Sequence, residues 1–173
     1  TPVLLIDELD RADEEFEAFL LEILSDFQVS IPEIGTLKAT RKPLDVITSN
    51  RTRAIHDALK RRCFYHWIDY PALDKEMKII HARVPKLEES LIHQIAIFMQ
   101  NIRREDVMKR PGVSETLDWA EALLKLNRRV LDEETVEQTL GCIFKYREDI
   151  QNFKSNIWPN PEKRTSLLTS YSE

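Results

Sequence analysis

Two adjacent carboxylates, Asp7 and Glu8, close the apolar run Val3-Leu4-Leu5-Ile6. Acids at the carboxyl end of a parallel strand stand where α/β sheets bind ligands. One acid of such a pair can hold Mg²⁺, usually through water, and its neighbour can orient or activate an attacking water. The same two residues also suit a plainer role, a helix-capping acid beside a solvated loop. A second apolar run, Val46-Ile47-Thr48-Ser49, ends at Asn50. An amide there can hydrogen-bond both a water and a phosphate oxygen, or simply cap the following turn. A third group is Lys60-Arg61-Arg62-Cys63, following Ala58-Leu59. A guanidinium at the end of a short helix can stabilise charge developing on a transferred phosphoryl group, often across a subunit boundary. A basic helix end also complements the helix dipole with no further role.

These groups need elements to hold them. Val3–Ile6 is a continuous apolar strand of the kind buried on both faces in parallel sheets. A lone strand of that kind cannot satisfy its edges, so preceding strands are expected outside these 173 residues. A helix follows, with Phe16, Phe19, Leu20, Ile23, Leu24 and Phe27 at three- and four-residue steps as a core-facing stripe. Asp13, Glu14, Glu15 and Glu17 load its first turns. Val29–Ile31 and Thr36–Ala39 flank Pro32-Glu33-Ile34-Gly35 as a hairpin with a four-residue turn. Leu44–Thr48 reads as a strand, 57–62 as a short helix, and Phe64–Ile68 as a weakly alternating strand closed by Pro71. From Leu73 the pattern becomes purely helical, with helices predicted at about 73–82, 87–104, 114–126 and 132–148, the last capped by Asp132. The polar tail after Asn152, with Pro159, Pro161 and a Ser/Thr-rich end, reads as irregular. The expected fold is α/β, a partial parallel sheet core to residue 72, followed by an all-helical subdomain at 73–150 and the tail at 151–173.

Composition narrows the classes of function. The net charge of −5 does not favour nucleic-acid binding. Cys63 and Cys142 fit neither a zinc spacing nor a disulfide framework, which points to a reducing cytoplasm. No apolar run approaches the roughly 20 residues of a membrane span, and no signal peptide is present. His56, His66, His81 and His93 are scattered and suggest no metal site. Trp67 and Trp119 read as packing residues, and Trp158 lies in the tail.

The order of these features, "VLLIDE", an amphipathic helix, a hairpin, "VITSN", "ALKRRC" and a helical region, resembles the AAA+ ATPases from the Walker B strand onward. "LLIDELDRADEEFEAFLLEIL" is similar to the Walker B segment of the MoxR-type branch associated with von Willebrand A-domain partners. The resemblance spans roughly residues 2–148. It implies a P-loop NTPase fold with a helical lid, ATP and Mg²⁺ as cofactors, and ATP hydrolysis driving chaperone-like remodelling or cofactor assembly. It also implies a homo-oligomeric ring, a hexamer, with a von Willebrand A-domain protein as partner.

By the same resemblance Asp7 handles Mg²⁺ and Glu8 the hydrolytic water. Asn50 matches sensor 1, the hairpin matches the pre-sensor hairpin, and Arg62 matches the arginine finger, with Arg61 as second choice. Two features depart from the pattern. The phosphate-binding loop G-x-x-x-x-G-K-[ST] is absent from a chain with three glycines. Ser114-Glu115-Thr116 stands where the lid's sensor 2 arginine is expected. Alternatives are a nucleotide-independent scaffold derived from the same fold, and a nucleic-acid-associated AAA+ subunit.

Without the backbone cradle and lysine of a phosphate loop, the 173-residue chain by itself is predicted to hydrolyse ATP negligibly. A phosphate-release assay showing clear turnover that vanished on Glu8→Gln would contradict this.

Overall fold

The computed structural model describes residues 1–50 and 52–169, arranged as two compact units that divide between Ile68 and Asp69, close to the expected break at 72. The first unit contains β1 (Val3–Ile6), a 3₁₀ turn (Leu9–Arg11), α1 (Glu14–Asp26), β2 (Gln28–Ile31), β3 (Gly35–Lys38), β4 (Leu44–Ile47) and α2 (Asp57–Lys60). β1 and β4 pair in parallel, with Val3 opposite Leu44, Leu4 opposite Asp45, Leu5 opposite Val46 and Ile6 opposite Ile47. Parallel strands require a long crossover, which α1 and the β2–β3 hairpin provide.

Because side chains alternate along a strand, this register puts Ile6 and Ile47 on one face. They pack there against Leu9, Leu20 and Leu59, the fully buried apolar residues among those described in the unit. The opposite face carries Val3, Leu5, Leu44 and Val46, which are 65%, 59%, 61% and 42% exposed. Within these 173 residues β1 is not buried on both faces: among the described residues β4 is its one paired neighbour, and one face alone is covered.

Asp13 caps α1 through its side chain, which accepts from Phe16 N at 2.8 Å. The helix ends at Phe27 in the left-handed region. Its apolar stripe is wider than the core it meets. Leu20 is buried, whereas Phe16 and Phe19 are exposed and pack on each other with ring centroids 6.2 Å apart. The hairpin forms with a three-residue turn rather than four, since Gly35 (φ +90°) joins β3 opposite Ile31. A glycine in this conformation is the usual way to close a three-residue hairpin loop. Glu22 of α1 ties the hairpin down by accepting from Ser30 Oγ at 2.6 Å and Gln28 Nε2 at 3.1 Å.

The strand expected at 64–68 does not form. Phe64 and Ile68 stand in solvent, and no strand edge among the described residues pairs with this segment. Trp67, expected to pack, is exposed, with its ring 5.9 Å from Tyr65.

The second unit contains α3 (Leu73–Arg83), α4 (Glu89–Ile102), α5 (Val113–Lys125), α6 (Glu133–Ile143), α7 (Arg147–Asn152), a π-helical turn (Phe153–Ile157) and α8 (Pro161–Thr169). The central helix α4 buries Leu91, Ile95, Phe98, Met99 and Ile102 in one continuous apolar core with Trp119, Leu140 and Phe153. Asp132 caps α6, as its position before the helix predicts, by accepting from Thr135 N at 2.8 Å.

Two expectations fail here for one reason. The helix predicted to run to 148 stops at Ile143, where Phe144 turns extended and buries its ring. The tail predicted to be irregular instead returns to the core. Phe153, Ile157, Trp158 and Leu167 are all buried, and Trp158 stacks on Phe153 at 5.1 Å and donates to Glu137 at 2.8 Å. Long-range burial of a few apolar residues overrides the polar local composition. Residues 170–173 of the predicted tail lie outside the described residues.

A buried polar network holds the helical unit together. Arg103 pairs with Glu76 through two bonds, Nη2 to Oε1 at 2.6 Å and Nη1 to Oε2 at 2.7 Å. Its Nε donates to Pro111 O at 2.8 Å, and the guanidinium lies 4.7 Å from the Tyr70 ring centre. Thr116 Oγ1 and Gln100 Nε2 also donate to Glu76, at 2.8 and 2.6 Å. Removing one partner of such a pair leaves a buried charge uncompensated, at a cost of about 3–5 kcal/mol. Glu76→Ala is therefore expected to lower the unfolding free energy of the helical unit by about that amount, read from urea denaturation followed by the far-ultraviolet signal. A loss below about 1 kcal/mol would contradict the buried pairing.

Candidate functional site

β1 and β4 end at the same level, so the residues that follow them leave the sheet together at its carboxyl edge. Thr48 N donates to Ile6 O at 3.0 Å, and Leu9 N donates to Thr48 O at 3.0 Å, which carries the pairing one step beyond the strands. The Thr48 hydroxyl accepts from Glu8 N at 2.9 Å and donates to the Asp7 carboxylate. Asn50 Nδ2 then donates to Glu8 Oε1 at 2.9 Å, and Arg11 Nε reaches Glu8 Oε2 at 3.0 Å. The Asp7-Glu8 pair and Asn50, two candidate groups in the sequence, thus belong to one constellation.

Glu8 occupies the left-handed region (φ 52°, ψ 47°). For a residue with a side chain this costs about 1–3 kcal/mol and recurs at functional sites, where the surroundings enforce it. Here the backbone turns sharply from the strand into the 3₁₀ segment, and that turn aims Glu8 towards Asn50.

Behind these residues stand two buried acids that local sequence patterns do not single out. Asp10 accepts from Asn50 N at 3.0 Å, Thr52 N at 2.9 Å and Thr52 Oγ1 at 2.5 Å. The Thr52 hydroxyl and the backbone donors hold its carboxyl far below the ordinary carboxylate range. Glu17 of α1 accepts from His56 N at 2.9 Å and pairs with Arg53 at 2.5 Å. Their one sequence signal is an acid within a run of acids, which reads as helix capping until the partners some 40 residues away are in view.

The two arginines of the third group differ in their surroundings. Arg62 is tied to its own unit, Nε donating to Ser25 Oγ at 2.8 Å and Nη1 to Ala58 O at 2.8 Å. Arg61 closes α2 and is exposed, and no hydrogen bond of its side chain joins it to the described residues. His56 Nδ1 caps α2 by accepting from Ala58 N at 3.2 Å. At the expected sensor 2 position, Glu115 accepts from Gly112 N at 2.8 Å and Thr116 is buried in the Glu76 network. Arg103, which shares that network, is committed to Glu76.

Among the described residues no group of three His, Cys, Asp or Glu side chains is placed to hold a metal ion. Mg²⁺ is commonly held by one or two carboxylates, with waters and substrate phosphates completing the octahedron. The exposed Asp7, beside Thr48 and Glu8, fits that hydrated mode and not a protein-built cage. No helix among the described residues is long and apolar enough to cross a membrane. No protein-family model matches the chain, and no curated protein matches it.

Asp45 lies on the covered face of β4, and its Oδ1 is buried without a hydrogen-bond partner. Desolvation pushes this carboxyl above its ordinary value, and burial together with the Asp45 charge pushes the Cys63 thiol up. An acid whose folded pKa is raised binds more protons in the folded state, so it lowers stability as pH rises through the ordinary carboxylate range and beyond. Asp45→Asn is expected to raise the urea midpoint at pH 7, with the gain shrinking as pH falls below the carboxylate range. An equal gain at every pH would rule out the titration of Asp45 as its cause.

Proposed function

We propose that this chain carries the water-activating half of a MoxR-type AAA+ ATPase site, with hydrolysis coupled to chaperone-like remodelling or cofactor assembly of a partner protein. The observation that carries the reading is the contact of Asn50 Nδ2 with Glu8 Oε1 at 2.9 Å at the carboxyl edge of a parallel strand pair. An acid held by an amide in that position is equipped to orient a water for in-line attack on a phosphoryl group. When bound, Mg²⁺ and ATP would supply charge neutralisation and the reacting γ-phosphate.

Asp7 is the residue to hold the hydrated ion, with Thr48 fixing its orientation. Glu8 takes the proton of the attacking water. Asn50 holds Glu8 through its amide nitrogen and leaves its amide oxygen for the water. Arg61 or Arg62 faces a neighbouring subunit of a ring. The family pattern favours Arg62, but the exposed Arg61 is the freer to reach outward. The phosphate loop, absent from these 173 residues, is supplied from outside them. The partner is a von Willebrand A-domain protein and the assembly a hexamer, and both rest on the family resemblance.

The alternative, a nucleotide-independent scaffold, draws on the missing phosphate loop. The two readings separate in an assembly that contains this chain together with a phosphate-loop segment. Glu8→Gln is expected to retain ATP binding and lower turnover by about 10²-fold or more. Arg61→Ala is expected to reduce turnover in the oligomer while sparing binding, and Arg62→Ala to act mainly on the anchoring of α2 to α1. Equal loss of nucleotide binding in all three variants would sink these roles, and absence of ATP binding in the wild type would favour the scaffold.

A further inference from the structure

Within the proposed site, Glu8 and Asn50 sit on two separate loops, one after β1 and one after β4. Their 2.9 Å contact is an exposed side-chain pair. Exposed pairs of this kind are weak, because water competes for both partners and two side chains must be ordered. Something else must hold the loops in register for the contact to persist. The strand ladder fixes the backbone as far as Thr48 and Leu9. Beyond that point Asp10 provides the link. It lies two residues after Glu8, is buried, and takes Asn50 N on one carboxylate oxygen and both donors of Thr52 on the other.

We infer that Asp10 is a positioning residue: by gripping the backbone on both sides of residue 51, it sets the loop after β4 so that the Asn50 amide meets Glu8. The inference rests on the ATPase reading only for its catalytic consequence, since the positioning itself is a property of this chain. Three donors to one ionised acid, all from a single short loop, form a clamp that neither a neutral nor a longer side chain reproduces. Asparagine offers one acceptor oxygen in place of two and adds an N–H₂ group facing the Thr52 donors. Glutamate adds a methylene at a buried position. Among the described residues the Asp10 carboxylate bonds to Asn50 and Thr52 and not to Asp7. Its effect is carried by Asn50.

The test uses the 173-residue chain and ¹⁵N nuclear magnetic resonance. In the wild type, the Asn50 side-chain amide is expected to be slowed in solvent exchange by its bond to Glu8. In Asp10→Asn, that protection is expected to fall to the solvent-exposed level, and the Asn50 and Thr52 backbone amide signals are expected to move. The Thr48 amide, bonded to Ile6, should keep its protection and report an intact sheet. Persistence of the Asn50 side-chain signature with the Thr52 amide released would overturn the inference.

Should Asp10→Asn also release Thr48, Thr52→Val decides. This variant removes one of the three bonds and keeps the backbone, so a partial loss of Asn50 protection is expected, and no change would overturn the inference. In the ATP-hydrolysing assembly, Asp10→Asn is expected to lower kcat by about 10²-fold, the scale of a 1 Å misplacement, with KM for ATP changed less than about twofold. A matched rise in KM without loss of kcat would overturn the positioning role. If Glu8→Gln left turnover unchanged while the resonance result held, the ATPase reading would fail and the clamp would stand.

Discussion

The in-register parallel pairing of β1 with β4 is the constraint on which the first unit depends. Four residue pairs bring together two stretches some 40 positions apart and make both strands end at one level. Every polar contact of the candidate site follows from that alignment. A slip of β4 by one residue would turn Ile47 out of the small core and point the loop after β4 away from Glu8. The alignment is strengthened past the strand ends, first by backbone bonds at Thr48 and Leu9, then by Thr48 Oγ1 between Asp7 and Glu8, and finally by Asp10. Each step lies further from the ladder and relies more on side chains.

The same logic explains the left-handed backbone at Glu8. A β-strand that continued straight would carry Glu8 past Asn50. The sharp turn stops it there and starts the 3₁₀ segment, which in turn delivers Leu9 to the core and Asp10 to the loop. Strain at one residue, packing at the next and a charged clamp at the third are successive consequences of one bend. Glu17 and Arg53 extend the pattern, fixing the path into α2 and so the place from which Arg61 and Arg62 depart.

How much of this was legible in the sequence depended on the range of the interactions. The apolar runs ending in Asp7-Glu8 and Asn50 announced two strands with polar ends, because strand burial and end chemistry are written locally. The caps of α1 and α6 were equally plain at Asp13 and Asp132, since a cap needs only its own helix. The burial of Asp10 and Glu17 was not visible, because their donors come from a distant loop. At Phe64–Ile68 the alternation promised a strand, but alternation supplies no partner edge. At Phe153–Leu167 the reverse happened: polar composition hid a few large residues whose burial decides the conformation of the whole segment.

The two units are built to very different standards of closure. The helical one surrounds α4 with a large continuous core and a satisfied ionic network, whereas among the described residues the α/β one encloses three fully buried apolar side chains and leaves one sheet face open. In each unit taken by itself, local opening should follow that difference. A single melting temperature would then be an ill-defined quantity for this chain, because two units of unequal stability depart from two-state unfolding. The open face also makes the first unit adhesive: four aliphatic side chains in a flat patch offer any apolar surface a landing place. Self-association at high concentration would begin there, and its onset would mark how far that face is left without a cover.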